Sequence, residues 1–294
     1  MKIFKNVFPF LFALLLFSSC NNGAKNNDAS NMERMDLSEI MKAADAISLN
    51  MNSVEDVFAT LDLTEAAYYP VLCNDPYNAE KYLKSKATAA ANLGVYVTDI
   101  VYHMYGEANE DMFLAFSASQ ELARYIGLES EFAATLITEL EGGAVSRDSL
   151  INVFSGLMEE SESYNSAEEM LHVHTAFLAG VYVEKLFITS SLLEQSQKKE
   201  KPKVNDINNF KKLLVVLENQ LQALDIVSES IAGYSKELKN EFNLVDFDQL
   251  SSAAQSLSEV SREILNSDDL MVSEELSSVH EDISSMRTRI ISAG

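Results

Sequence analysis

Glu169 and His172 stand three residues apart, and Asp99 and His103 four apart, in a chain with only four histidines. On helices those spacings put each carboxylate and imidazole on one face. Glu-x-x-His is half of a carboxylate-bridged di-metal site, which needs a second such pair and two more glutamates pointing into one bundle. The sequence has no second pair. What it can assemble is a mononuclear group of Asp99, His103, Glu169 and His172, with Glu184 as a further carboxylate, a donor set that suits zinc or iron. The competing reading is a hydrogen-bonded Asp–His pair beside a solvated acidic helix start. His174 points away from His172 on a helix, and His280 is expected on an exposed acidic face.

A second constellation comes from an internal echo. Gly94-Val95-Tyr96-Val97 recurs as Gly180-Val181-Tyr182-Val183, followed by an acid at Asp99 and at Glu184. A mid-helix glycine costs about 1 kcal/mol against alanine, so at both places it is expected to permit close helix contact. Tyr96, Asp99, Tyr182 and Glu184 then form the candidate binding wall, because phenols offer apolar faces with a polar tip and pockets between helices are common. The alternative for the tyrosines is ordinary packing with each hydroxyl satisfied. Glu184 shares a face with Phe177, Val181 and Ile188, so it must be paired, protonated or open to a cavity. The echo reads either as a duplication of helical hairpins or as a chance match of four residues.

The elements that position these residues are helices. Expected helices run 36–49, 53–68, 75–105, 109–126, 130–140, 146–160, 166–197, 204–240, 246–265 and 268–291, nine or ten in all, with no credible strand. Their signals are Pro70 after the second, Asp75-Pro76 opening the third, and Gly106 and Gly127 as stops. The fold class is therefore all-α, a multi-helix array or bundle over residues 36–294, with a sub-boundary near 198–204 at KKEKP. In the third helix Leu93, Val97, Ile100, Val101 and Met104 form one stripe while Val95 and Tyr102 lie opposite, the pattern of a central helix.

Lys2 and Lys5 precede an apolar run from Val7 to Phe17, which reads as a signal peptide over residues 1–19. The run is too short to span a membrane comfortably, and no second such run is expected. LLLFSSC, ending at Cys20, resembles the bacterial lipobox, in which that cysteine is acylated, although Phe17 stands where an aliphatic is usual. The alternative is a secretory peptide cut near Ser19. Residues 20–35 are polar and asparagine-rich and read as a tether. For a chain resembling such lipoproteins, Asn21 directly after the cysteine implies the outer membrane, with periplasmic and external faces both open. With the leader and its two lysines removed from the 22 basic residues, 45 acidic face 20 basic side chains, a charge of −25. Nucleic acid and anionic lipid would be approached against repulsion, whereas a cationic protein, a peptide or a small ligand would not. Cys73 is the only cysteine besides Cys20, so acylation leaves no intramolecular disulfide.

The stretch ANLGVYVTDIVYHMY, Ala91 to Tyr105, together with the leader, resembles an uncharacterised family of all-helical lipoproteins in Bacteroidetes. The resemblance implies a lineage and an envelope location, and it brings no activity. There is no G-x-S-x-G elbow, phosphate loop or paired-cysteine motif, so no catalytic residue and no cofactor is assigned. The reading is a noncatalytic envelope lipoprotein acting as a binding or scaffold module. Its alternative is a metal-dependent enzyme built on the Asp, Glu and His residues above. Replacing Cys20→Ala is expected to abolish incorporation of a labelled fatty acid; labelling that persists in the variant would show that the anchor is elsewhere.

Overall fold

A computed structural model describes residues 53–128, 145–163, 168–199, 201–232, 246–266 and 273–293. They form eight α-helices and two short 3-10 segments, with no strand among the described residues. The helices are α1 (Ser53–Thr64), α2 (Lys86–Tyr105), α3 (Asn109–Ile126), α4 (Arg147–Ser163), α5 (Glu168–Gln197), α6 (Val204–Ala232), α7 (Phe247–Asn266) and α8 (Glu274–Ser292). The 3-10 segments, Pro70–Leu72 and Pro76–Tyr82, lie in the connection from α1 to α2. The fold is all-α, as the periodicity implies. Cys20, the leader, the tether, the expected helices at 36–49 and 130–140, and the end of the expected 204–240 helix lie outside the described residues.

Two expected boundaries differ. Asp75 does accept a hydrogen bond from the Tyr77 N–H beside Pro76, but the turn it opens is a 3-10 segment that ends at Tyr82. The central helix begins only after Ser85, whose hydroxyl accepts from the Thr88 N–H. The capping signal was thus genuine, yet two caps compete within ten residues and the second one opens the α-helix. Likewise α8 opens at Ser273, which accepts from the Leu276 N–H, later than the expected Asp268.

α5 is the hub, packing against α2, α8, α6 and α4; α2 in turn packs on α3, and α7 closes the far side against α6 and α8. Contrary to the expectation of no further spanning-length run, Val173–Gln197 is long and apolar enough to cross a membrane by length and composition. In this fold 89% of its most apolar stretch is buried against protein. It carries Glu184 and Lys185 at its middle, both buried, so its apolarity belongs to a core helix apolar nearly all round.

The two echoing segments cross with backbone against backbone. A Cβ built on Gly94 would overlap the Phe177 carbonyl and lie 2.6 Å from the Val181 nitrogen and 3.1 Å from the Gly180 carbonyl carbon. One built on Gly180 would overlap the Ala91 carbonyl. The Thr98 hydroxyl, 3.1 Å from the Gly94 carbonyl and 3.5 Å from that of Val181, straddles the crossing. Gly106 serves a different purpose, since its φ of −78° needs no glycine, but a Cβ there would strike the Tyr68 ring.

Gly180→Ala is expected to destabilise by about 3 kcal/mol or more, because backbone must move to admit the methyl group. Gly156→Ala on the open face of α4, where a Cβ meets nothing within 4 Å, should stabilise by about 0.5–1 kcal/mol. Chemical denaturation of the two variants checks the contrast, and equal effects would contradict the close crossing.

Candidate functional site

One turn beyond each crossing glycine stands an acid. Asp99 of α2 and Glu184 of α5 are both without solvent exposure, and the α2–α5 contact sets them against each other. Arg287 of α8 reaches in beside them. Its Nε donates to Glu184 Oε2 at 2.7 Å and its Nη2 to Oε1 at 2.8 Å, a two-pronged pair, while Nη2 also donates to the Leu72 carbonyl at 2.8 Å. Asp99 Oδ2 accepts from the Asn74 N–H at 2.9 Å.

Asp99 Oδ1 is buried and has no hydrogen-bond partner. Burial first, and the charge of Glu184 second, push the Asp99 pKa well above the ordinary carboxylate range, against the opposing pull of Arg287. Both effects favour the protonated form of Asp99, in which Oδ1 can donate to Glu184. A neutral acid, one carboxylate and one guanidinium sum to zero, which is the arrangement that a nearly dry core tolerates. Burial opposes the charge on Arg287, but the charge and hydrogen bonds of Glu184 outweigh it and raise the guanidinium pKa.

The remaining candidates fall around this node in different ways. Tyr96 is fully buried and its hydroxyl donates to the Asp75 carbonyl at 2.9 Å. Its ring lies tilted against Tyr82, centroids 6.2 Å apart, and Tyr82 in turn takes a hydrogen bond from the Asn74 amide. Tyr182, also buried, has the Lys185 ammonium 5.3 Å from its ring centroid. His103 does not turn to Asp99: its Nδ1 lies 2.7 Å from the Tyr68 hydroxyl and 3.9 Å from Cys73 Sγ. Burial lowers the His103 pKa. Burial, then Asp99 and Glu184, hold the Cys73 thiol far above its usual range, so it is no nucleophile. The side chains of Glu169 and His172 lie outside the described residues. Among the described residues no group of three His, Cys, Asp or Glu side chains is placed to hold a metal.

Sequence reasoning missed Arg287, although its signal was present. In α8 the buried Ile283, Met286 and Ile290 form one stripe, and Arg287, four after Ile283 and three before Ile290, falls inside it. A cation on an apolar stripe implies a buried acid elsewhere. It also missed a Ser–His–Glu alignment. His280, expected to be exposed, lies between α8 and α5, with Nδ1 3.0 Å from Ser190 Oγ and Nε2 3.8 Å from Glu194 Oε2. The order matches a hydrolase triad, but Ser190 is buried in mid-helix. There the backbone N–H groups are committed to the helix and leave no oxyanion hole.

Comparison with protein-family models, with curated proteins and with solved structures finds no match.

The charge balance distinguishes the two acids by mutation. Asp99→Asn keeps a donor toward Glu184 and an acceptor for Asn74, so its cost should stay near 1 kcal/mol. Glu184→Gln strands a buried guanidinium and should cost about 3–5 kcal/mol. The folded-state pKa of Asp99 is raised, so the native state holds the extra proton. Stability from this group is full below about pH 4, and declines as pH climbs toward the folded pKa, by up to about 1.4 kcal/mol per unit. Denaturation midpoints against pH should show that slope in the wild type and lose it in Asp99→Asn; an unchanged slope would place the proton elsewhere.

Proposed function

We propose that this protein is a noncatalytic, lipid-anchored module of the cell envelope that binds a partner or acts as a scaffold, with its contact edge in the connection between α1 and α2. The observation that carries this reading is the use made of the central polar groups. Arg287 holds the Leu72 carbonyl, Asp99 holds the Asn74 N–H, and Tyr96 holds the Asp75 carbonyl. Tyr102 accepts from the Tyr69 N–H at 2.9 Å, and Tyr105 donates to the Ala66 carbonyl at 2.8 Å. Five side chains, four buried and the half-buried Tyr105, are thereby spent on the backbone of residues 66–75. That pinned segment and the turn after it present two large apolar side chains outward, Val71 at 85% and Tyr77 at 78% exposure, beside the exposed charges of Asp75, Glu80 and Lys81. Phe113 is 52% exposed on α3, the helix packed against the Pro76–Tyr82 turn.

A connection normally varies and moves more than the elements it joins, and binding residues concentrate where a rigid scaffold fixes it. Ordering the segment in advance removes part of the entropic cost of association. Large apolar side chains gathered on one surface region mark interaction sites more often than scattered ones do. The partner class stays within a peptide, a cationic protein or a small ligand, and the overall acidity favours the cationic ones.

A photo-crosslinking amino acid placed at Val71 or Tyr77 in intact cells should give a discrete higher-mass adduct. The same group at Glu259, exposed on α7, should not. Adducts at all three positions, or at none, would remove the connection from the proposal.

A further inference from the structure

His280 is used neither by the buried acids nor by the pinned connection. Its ring stacks on Phe187 of α5, with centroids 6.1 Å apart and planes 25° apart. Ser190 Oγ lies 3.0 Å from Nδ1 and 3.2 Å from the Phe187 carbonyl, so the single hydroxyl proton has two acceptors. With the ring neutral, Ser190 donates to Nδ1 and the Nε2 proton faces Glu194. With the ring protonated, Nδ1–H donates to Ser190, whose own proton turns to the Phe187 carbonyl. Both states keep their hydrogen bonds by rotating one hydroxyl. They differ by a positive charge placed in the α5–α8 seam.

That charge is poorly received. The His280 side chain is 18% exposed, and Glu194, which faces it at 3.8 Å, is shared with Lys198 at 3.3 Å. The Phe187 ring beneath it already carries the Arg287 guanidinium, 4.1 Å from its centroid. The charged groups facing the imidazole are Glu194 from α5, Lys198 just beyond its end, and Glu281 from α8 itself. Toward α7, α8 offers Asp282 to Gln249 and Arg289 to Asp246. We propose that protonation of His280 loosens α8 from α5, which makes the last helix an acid-released clasp over the Glu184–Arg287 pair. This goes beyond the binding reading, because it concerns how firmly the scaffold is closed and not what it contacts.

The sign follows from the surroundings. Burial holds the His280 pKa below its ordinary value, with Glu194 acting the other way. The folded state therefore binds fewer protons than the unfolded one, so the seam is tightest above about pH 6.5 and weakens as pH falls below it. Release of α8 would withdraw Arg287 from Glu184 and from the Leu72 carbonyl, so the clasp reaches the pinned connection through one side chain.

The test is made on the full chain by hydrogen exchange over residues 274–292 near pH 7.5 and near pH 5, corrected for intrinsic rates. An NMR titration of the assigned His280 ring accompanies it. His280→Phe, which keeps a ring over Phe187 and cannot charge, is the control; His280→Gln replaces it if the first variant does not fold. Expected are a His280 titration below about pH 6.5 and a loss of wild-type protection in acid, about tenfold for each unit by which the ring is lowered. The control should lack that additional loss. A titration at or above about pH 6.5, or the same acid loss in wild type and control, overturns the clasp.

Discussion

The guanidinium of Arg287 meets both oxygens of Glu184 and the carbonyl of Leu72 where almost no water reaches, and three parts of the chain depend on that contact. It fixes α8 to α5, fixes both to the connection ahead of α2, and supplies the positive charge that lets a carboxylate remain in the core. Such a pair adds little net stability over well-packed apolar side chains of the same volume, because desolvation consumes the Coulombic gain. Its contribution is directional. An apolar stripe on α8 could slide one turn along α5 at modest cost, whereas a two-pronged arginine cannot leave its carboxylate without stranding two charges.

The acids meet because of the glycines. Helices packed through ordinary side chains keep their axes 8–10 Å apart. Gly94 and Gly180 admit backbone against backbone, and they bring whatever stands one turn further on each helix into contact. Those residues are Asp99 and Glu184, and two neighbouring anions in a dry core are costly, which favours the proton on Asp99. The protonated Asp99 is thus a consequence of the crossing geometry more than of its own sequence context. The same proximity, with no methyl group between the helices, leaves the carboxyl oxygen of Asp99 free to hold the Asn74 backbone.

The fold class was legible in the sequence, and so was the crossing, because a glycine that costs helix stability twice, in matching contexts, points to a packing reason. Caps at Ser85 and Ser273 were harder to read: each lies within ten residues of another plausible start, and only tertiary packing selects between them. Glu184 was correctly confined to being paired, protonated or open to a cavity, but its partner, Arg287, lies 103 residues away, a separation that no local pattern bridges. His280 was misplaced for a different reason. The apolar face of α8 runs through Leu276, Val279, Ile283, Met286 and Ile290, and His280, one turn after Leu276, borders it and turns inward against Phe187, a position that the acidic, serine-rich composition obscured.

Catalysis and scaffolding ask opposite things of buried polar groups. A catalytic acid or imidazole must meet a substrate, so it sits where a ligand can enter. Asp99, Glu184, Tyr96 and Tyr102 are fully or almost fully enclosed, and apart from the Glu184 contact with Arg287 their polar tips face the backbone or each other. Side chains used in this way act as fasteners: each backbone group they satisfy is one that the connection would otherwise turn toward water, and each fixes a residue that would otherwise sample several conformations at about 1–2 kcal/mol apiece. On the same connection Val71 and Tyr77 stand exposed at the surface. A connection fastened in this way presents Val71 from a backbone whose neighbours on both sides are held by the core.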